Sequence, residues 1–588
     1  MPELDNAAIA GTLDTMGDLL EVSGADKFRV LSYHKAAHSI RAWPEPLSRL
    51  SAEGRLTDVP GVGKKLAASI AEIFETGTFQ EYEELKSTFT PSLAKLMDIP
   101  GLGPKRARLL HDALGVCTVE DLERALADGT IAQVPGFKEK TVAAIAANLE
   151  HVKKHAERIL LMDALPLATG LAEELRALQG VEHAEPAGSI RRWEPTVGDI
   201  DVIVASAEPA AVHAQVRKLP LVARVLAGGE SKTSVVTTSG RQADIRVVTT
   251  EQYGAALQYF TGDKEHNIRL REIAKRRGLK VNEYGVFRVK DDRRVAGRTE
   301  ESVYAALGME CPPPEIRTNS GEIEAAQEHE LPRLVTLGDV RGDLHAHTTS
   351  TDAKSTVEEN RAMAAELGYE YVAVTDHAYD LRMVKGLSIE QLEEQWAHVD
   401  ELNAKGGRPH VLKGIELNVG AKGGVDYPDE VLAHFDFCIA SIHGGMQQSR
   451  EALTHRLLTA MENPYVDVIG HCTGRILGRR DPMDLDMEAV LRKAGETGTI
   501  MEINAYPDRL DLSAEHIRMA RRFGVRFALG TDAHRCEQMR FMQYGVATAR
   551  RGWVTPGELL NAQPLKVLRR WLKRAEARGA DAYAVRKA

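Results

Sequence analysis

One segment constrains the fold of this chain more than any other. It runs Gly188-Ser189-Ile190-Arg191-Arg192 and continues, past a short spacer, into Val197-Gly198-Asp199-Ile200-Asp201. The stretch from Asp199 to Val204 alternates as a strand does, and on a strand residues 199 and 201 point to the same face. Two carboxylates side by side repel each other and persist as anions only with a cation between them. Oxygen-only ligands favour Mg2+ or Mn2+ over Zn2+. A third acid, Asp244, lies in Arg241–Val248, again with strand-like alternation. Three carboxylates converging from adjacent strands suit a two-metal phosphoryl-transfer site. The Gly188-Ser189 turn can present N–H and hydroxyl groups to phosphates, and Arg192 adds a positive charge beside them.

At 588 residues the chain has room for roughly four domains of the usual ~150 residues. With 43% hydrophobic and 27% charged residues it reads as globular, neither disordered nor collagenous. No apolar run reaches the roughly 18 residues of a membrane helix. Met1–Asp5 is acidic and lacks the basic-then-apolar order of a signal peptide. Cys117, Cys311, Cys438, Cys472 and Cys536 show no CxxC and no disulfide-like spacing, as reduced, cytosolic thiols would. The net charge of −10 argues against a purely electrostatic nucleic-acid binder. It leaves open phosphate contacts from backbone groups and local lysines.

Up to about Glu150 the pattern is one of helices broken by Gly/Pro turns. One unit recurs as Val59-Pro60-Gly61-Val62-Gly63, Ile99-Pro100-Gly101-Leu102-Gly103 and Val134-Pro135-Gly136-Phe137-Lys138. The glycines permit positive φ and close backbone approach. The N–H groups opening the next helix are then free for a phosphate oxygen, directly or through a cation. Contacts of this kind carry no base-sequence information. The turn resembles the helix-hairpin-helix motif, which implies DNA binding at Gly61, Gly63, Gly101 and Gly103. The third copy departs from it, with Lys138 where the second glycine stands in the others.

The Gly-Ser-x-Arg-Arg turn, the Asp-x-Asp pair and Asp244 together resemble the nucleotidyltransferase superfamily. Tyr259-Phe260-Thr261-Gly262, with Asn267 following, narrows the resemblance to the family X DNA polymerases, the DNA polymerase beta family. That resemblance implies Asp199, Asp201 and Asp244 as catalytic carboxylates holding Mg2+ or Mn2+. It implies Gly188, Ser189 and Arg192 on the triphosphate of a dNTP. Tyr259 and Phe260 would form the wall beside the sugar, with Gly262 in the same nucleotide site and Asn267 at the minor-groove edge. Lys264 departs from DNA polymerase beta, where an Asp stacks on the base. Near the N-terminus, Tyr33, His34 and Lys35 are similar to the lyase-type domain of DNA polymerase beta, where a Tyr and a basic residue hold the 5′-phosphate of a gap. Lys65 matches a neighbouring phosphate-binding lysine. The Schiff-base lysine of that domain corresponds here to Ser69, whose hydroxyl cannot form an imine. Gap binding with weak or absent lyase activity is therefore expected.

Cys311-Pro312-Pro313-Pro314 and the acidic stretch to Glu330 read as a boundary or linker. Beyond it short apolar strands alternate with helices, as in Tyr371–Thr375 and Phe437–Ser441. This suggests a β/α barrel with functional groups at the C-terminal ends of its strands. Metal-type residues stand there: Asp343, His345, His347, Asp352, His377, Glu416, His443, His471, Asp532 and His534. Mixed imidazole and carboxylate ligands suit Zn2+, Mn2+ or Fe2+, and the set overfills one site and suits two or three ions. The ordered series resembles the polymerase and histidinol phosphatase (PHP) domain. That implies hydrolysis of phosphoesters, including 3′→5′ removal of nucleotides, with His345, His347, Asp352, His377, Glu416, His443, His471, Asp532 and His534 as ligands. Cys472 stands where a proline is usual and reads as a packing variation. Arg475 and Arg509 are candidates for holding substrate phosphates.

The expected fold is multidomain. An α-helical helix-hairpin-helix region covers 1–85 (lyase-type) and 86–154. An α+β nucleotidyltransferase palm follows at 155–250, then a nucleotide-selection thumb at 251–315 and a linker at 316–338. A distorted β/α barrel of PHP type spans 339–575, with a tail at 576–588. The resemblance implies a bacterial-type family X DNA polymerase with a 3′-5′ exonuclease. It would act as a monomer on gapped or primed DNA in cytoplasmic, nucleoid-associated repair, without a membrane partner.

Overall fold

The computed structural model describes residues 6–41, 47–99, 102–156, 158–229, 232–379 and 386–574. Gly101 and the tail expected at 576–588 lie outside the described residues. The chain divides into two compact units, Met1–Glu157 and Arg158–Ala588. No helix among the described residues is long and apolar enough to cross a membrane.

The first unit is helical. Helix Lys64–Thr76 sends Leu66, Ile70 and Ile73 into one core, the spacing of a single helix face. Helix Pro104–Leu114 sends Ala107 and Leu110 into a second. Each begins at the second glycine of its hairpin, since Gly63 and Gly103 are the N-caps. Pro104 takes the first helical position, where its missing N–H has no partner to lose.

The second unit opens with a five-stranded sheet ordered Val181–Pro186, Ile200–Ser206, Gln242–Val248, Lys232–Thr237, Val222–Gly228. Its central pair, Ile200–Ser206 and Gln242–Val248, is parallel, and the other pairs are antiparallel. Helices Tyr253–Thr261 and Lys264–Arg276 follow, then a three-stranded antiparallel sheet and helix Glu300–Ala306.

The segment expected as a linker, 316–338, is packed structure. Helix Glu322–Glu328 buries Ile323 and Ala326 in the thumb core, and Val335 enters the barrel core. Two of its charges, Arg317 and Glu322, are buried and matched rather than solvated. Arg317 is buried against Glu300 and donates to Pro312 O at 2.9 Å, and Glu322 Oε1 lies 2.6 Å from His266 Nδ1.

Seven parallel strands in sequence order form the C-terminal sheet: Gly342–Asp343, Tyr371–Val374, His410–Asn418, Phe437–Ser441, Val468–Ile469, Ile500–Asn504 and Phe527–Gly530. A bridge between Ala346 and Ala533 ties the first strand's end to the last, so the barrel is nearly closed. Leu412 and Ile500 belong to the small inner core, and two-residue periodicity turns Glu416 and Glu502 to the same inner face. Leu510 and Tyr544 of the barrel are buried in the palm core, which joins the two domains by apolar packing.

Candidate metal centres

Asp201 and Asp244 stand directly opposite each other on the parallel pair of the palm. Asp199 lies just ahead of its strand and is exposed. Above them Gly188 sits at φ +61°, a conformation that favours glycine. A Cβ there would lie 3.6 Å from Asp201 Oδ2 and 3.8 Å from Phe260 O, so the glycine keeps the space over the carboxylates open. Burial raises the Asp201 carboxyl to about 6, because Arg246 at 3.8 Å does not offset burial plus repulsion from Asp244 and Asp199. Asp244 is already matched. Lys232 Nζ donates to it at 2.8 Å and Ser234 Oγ at 2.6 Å, and against the effect of burial they hold it below the usual carboxylate range.

This all-oxygen set, with one member short of positive charge, fits a hard divalent cation. The acids converge less tightly than expected. Among the described residues, the groups with three ligand atoms within 4.8 Å of one another all lie in the barrel. The Lys232 ammonium and the Ser234 hydroxyl occupy both oxygens of Asp244.

The neighbouring residues are ordered by their own contacts. Tyr259 and Phe260 meet edge to face at 5.1 Å, and Arg246 lies over the Phe260 ring at 4.2 Å. Asn267 Nδ2 donates to Tyr259 O, and Gln258 Nε2 donates to Asn267 Oδ1, each at 2.7 Å. Arg192 donates to Thr261 O, beside Gly262. Ser189 is half-buried in the helical turn Gly188–Arg191.

In the barrel, Glu416 is the centre of the cluster. Its Oε1 lies 2.9 Å from His471 Nε2 and 3.1 Å from His443 Nε2. Its Oε2 lies 3.1 Å from His377 Nδ1, 3.5 Å from His345 Nε2 and 3.6 Å from His347 Nε2. Asp532 Oδ1 is 3.1 Å from His347 Nε2, and Asp352 Oδ2 reaches His534 Nε2 at 3.3 Å and His377 Nε2 at 3.5 Å. All nine expected residues therefore meet. Three ligand groups overlap within them: His347, Asp352, His377 and His534; His345, His347 and Asp532; His377, Glu416 and His443.

These residues fit metal ions. His345 Nε2, His347 Nδ1, His377 Nδ1, His471 Nδ1 and Glu416 Oε2 are buried without a hydrogen-bond partner. So many orphaned lone pairs are costly unless something electron-poor sits among them. Burial, with His534 and His377 alongside, holds His347 below the usual imidazole range, whereas against burial the carboxylates Glu502, Glu416 and Asp352 draw His345, His377 and His534 above it.

The families that match are the helix-hairpin-helix domain over residues 4–79, the SAM-like helix-hairpin-helix tandem over 93–150, the DNA polymerase beta thumb over 256–318 and the PHP domain over 343–505. The DNA polymerase/3'-5' exonuclease PolX of Bacillus subtilis (strain 168) is 36% identical over 564 residues, which cover 96% of this chain and 98% of that protein. The chain belongs to the PolX family. DNA polymerase lambda of Rattus norvegicus is 26% identical over 332 residues, 52% of this chain and 55% of that protein. A protein named "Probable phosphatase" from Thermoanaerobacter sp. (strain X514) is 29% identical over 238 residues, 38% of this chain and 91% of its own length.

Several residues of this PolX chain that shape the barrel site escaped the sequence reading. Glu502 Oε1 lies 2.5 Å from His345 Nδ1, and its Oε2 accepts from His471 N at 2.6 Å. Asn418 Oδ1 lies 2.7 Å from His443 Nδ1. Contacts of this kind fix which ring nitrogen faces the cluster. Arg509 Nε is 3.3 Å from Asp532 Oδ2, at a place where it can serve a phosphate. Arg475 is committed elsewhere, donating to Arg509 O at 2.9 Å and to Leu510 O. Cys472 packs in the barrel core, where burial holds its thiol protonated.

In the N-terminal unit the same backbone hydrogen bond recurs at all three hairpins. Val62 N donates to Val59 O at 3.0 Å, Leu102 N to Ile99 O at 2.9 Å and Phe137 N to Val134 O at 3.1 Å. Gly61 and Gly136, at φ +84° and +96°, need glycine. Gly63 and Gly103 are extended, and a Cβ at either would meet nothing within 4 Å. Lys138 therefore fits the third copy without distortion. Glycine at the other two leaves room in front of the helix N–H groups.

Two of the expected 5′-phosphate residues, Tyr33 and Lys65, are already engaged. Tyr33 is buried and its hydroxyl donates to Glu81 Oε2 at 2.8 Å. Lys65 Nζ reaches Glu81 Oε1 at 2.9 Å, and Arg29 donates to the same oxygen. Lys35 is exposed, with its stem beside Gly61. Ser69 is buried, and its hydroxyl donates to Lys65 O at 3.3 Å.

Proposed function

We propose that this chain is a DNA-directed DNA polymerase of family X that fills gaps in DNA repair and removes nucleotides 3′→5′ with its C-terminal barrel. One observation carries the reading. A single chain of PolX descent holds a carboxylate pair in register under an open Gly-Ser turn, and separately a cluster of orphaned imidazole nitrogens around Glu416.

Asp199, Asp201 and Asp244 would hold Mg2+ or Mn2+, which when bound neutralises charge at the reacting phosphate and eases loss of the proton from a primer 3′-hydroxyl. That hydroxyl displaces pyrophosphate at the α-phosphate of a dNTP. Gly188, Ser189 and Arg192 bind the triphosphate. Tyr259 and Phe260, held edge to face, wall off a 2′-hydroxyl, and Gly262 lets the chain turn beside Arg192. Asn267, oriented by Gln258 and Tyr259, reads the minor-groove edge.

The nine barrel residues would hold two or three Mn2+, Zn2+ or Fe2+ ions, which supply Lewis-acid polarisation of the phosphodiester and a nucleophile at neutral pH. Arg509 receives a substrate phosphate. Gly61, Gly63, Gly101, Gly103 and Lys35 engage the DNA backbone. The protein works as a monomer in the cytoplasm, at the nucleoid.

Gapped DNA with and without dNTPs, in Mg2+ and in Mn2+, tests both activities. Asp199→Ala or Asp201→Ala should abolish extension and leave degradation intact, and His345→Ala should do the reverse with a loss of bound metal. Extension at wild-type rate in either aspartate variant would remove the polymerase assignment. Metal-free protein together with no Mn2+-stimulated degradation would remove the nuclease.

A further inference from the structure

Arg192 has no carboxylate to itself. Its nearest carboxylate oxygen, Glu194 Oε1, stands 3.7 Å from Arg192 Nε, while Glu194 Oε2 accepts from Arg551 Nη2 at 2.6 Å. Arg551 closes helix Met542–Arg551, which belongs to the barrel and not to the palm. Both guanidiniums are deep, with side chains 13% and 12% exposed, and the Nε of each lacks a hydrogen-bond partner. One carboxylate is thus divided unequally between two arginines of different domains. Its position is set by the residue beside it. Trp193 meets Tyr544 of the same barrel helix edge to face at 5.9 Å, and Tyr544 is buried in the palm core.

We propose that Arg551 of the nuclease barrel is a positioning residue of the polymerase site, holding the Glu194 carboxylate off Arg192 so that this guanidinium is left for the phosphates of the incoming nucleotide. The inference rests on Arg192 as a nucleotide contact. A guanidinium engaged with a carboxylate has fewer N–H donors to give a triphosphate and sees part of its charge cancelled. With Arg551 in place, Glu194 has its close partner, and Arg192 keeps only a distant one. Without Arg551 the half-buried carboxylate is left beside one remaining cation and closes on it. The two domains are then coupled by competition for one anion, and the barrel contributes to nucleotide affinity without touching the nucleotide.

The full-length protein should be assayed for single-nucleotide insertion into gapped DNA in Mg2+, with Mn2+-dependent 3′ degradation measured on the same preparations. Arg551→Ala should raise the KM for dNTP roughly tenfold, the worth of about one charge-assisted contact. Its kcat and its degradation rate should stay near wild type. Adding Glu194→Gln to Arg551→Ala should bring KM back, because an amide carries no charge to take from Arg192. A purely structural role for Arg551 would give no such rescue. An unchanged KM in Arg551→Ala, or a double variant as impaired as the single one, overturns the proposal. Arg192→Ala separates the two readings. If it leaves KM unchanged, Arg192 is not a nucleotide contact and the proposal falls with it. If it raises KM while Arg551→Ala does not, only the positioning role falls. Should Arg551→Ala fail to fold, Glu194→Gln alone decides: KM at or below the wild-type value supports the proposal, and a raised KM overturns it.

Discussion

Replacing Asp201 by Asn should stabilise the ion-free protein while ending nucleotide addition. The Asp201 side chain is 22% exposed, and burial lifts its carboxyl from 3.8 to about 6, with Asp244 and Asp199 adding to the rise and Arg246 too distant to reverse it. A rise of about two pH units corresponds to about 3 kcal/mol, at roughly 1.4 kcal/mol for each. The folded chain keeps a proton that the unfolded chain releases. Stability therefore falls as pH rises from 3.8 to about 6, and the full cost stands above that window. Asn has no charge to bury, and it leaves the backbone bond from Ala187 N to the residue-201 carbonyl, 2.9 Å, untouched. In thermal denaturation with a chelator, the transition of the second unit should rise by about 2–4 °C at pH 7.5. The gain should shrink to roughly half at pH 5. Excess Mg2+ should narrow or reverse the difference, because the ion binds the native wild type more tightly than the variant. No gain at pH 7.5 in chelator, or a gain indifferent to pH, would refute the electrostatic reasoning.

Other outcomes follow from single contacts. Glu502→Gln removes the carboxylate shared by His345 Nδ1 and His471 N, so chelator competition followed by elemental analysis should show about 10–100-fold weaker metal retention, with extension unaffected. Glu81→Gln frees Arg29, Tyr33 and Lys65, so binding to a 5′-phosphorylated gap should tighten several-fold over the unphosphorylated gap; the exposed pairs it breaks should lower stability by no more than about 1 kcal/mol. Borohydride trapping on a 5′-incised abasic substrate should give little or no covalent product, because Ser69 is buried and Lys65 is paired with Glu81; efficient trapping lost in Lys65→Ala would show that the nucleophile has moved.

The candidate barrel ligands were legible because each combines a telling residue type with a place at the end of an apolar strand, and both are local properties. Glu502 offers the same residue type at a strand end, but its role appears only when the barrel curves and brings it against His345, 157 residues away. The packing of the segment expected as a linker has the same origin. Prolines and acids at 312–330 look solvated until His266 and Glu300, supplied by the thumb, match Glu322 and Arg317. Glu81 shows the converse. Tyr33 and Lys65 could be picked out by their motif, but nothing in one helix's sequence says that its carboxylate will point into the basic group contributed by two others.

The two clusters answer one problem, too many carboxylates in too little water, with different chemistry. In the palm, Lys232, Ser234 and Arg246 supply part of the compensation, and the remaining donors are oxygens. In the barrel, six imidazoles surround Glu416, Asp352 and Asp532, and nitrogen donors outnumber carboxylates. Nitrogen-rich sites favour the later first-row ions, and oxygen-only sites hold hard ions such as Mg2+ without strong competition from them at low free concentration. Donor type can therefore sort ions between two sites that the fold does not keep apart. Leu510 is buried in the palm core, and its chain neighbour Arg509 lies 3.3 Å from Asp532 of the barrel cluster. A displacement of the palm against the barrel would move that arginine within the barrel cluster, so the apolar packing at Leu510 and the charge sharing at Glu194 act on one interface.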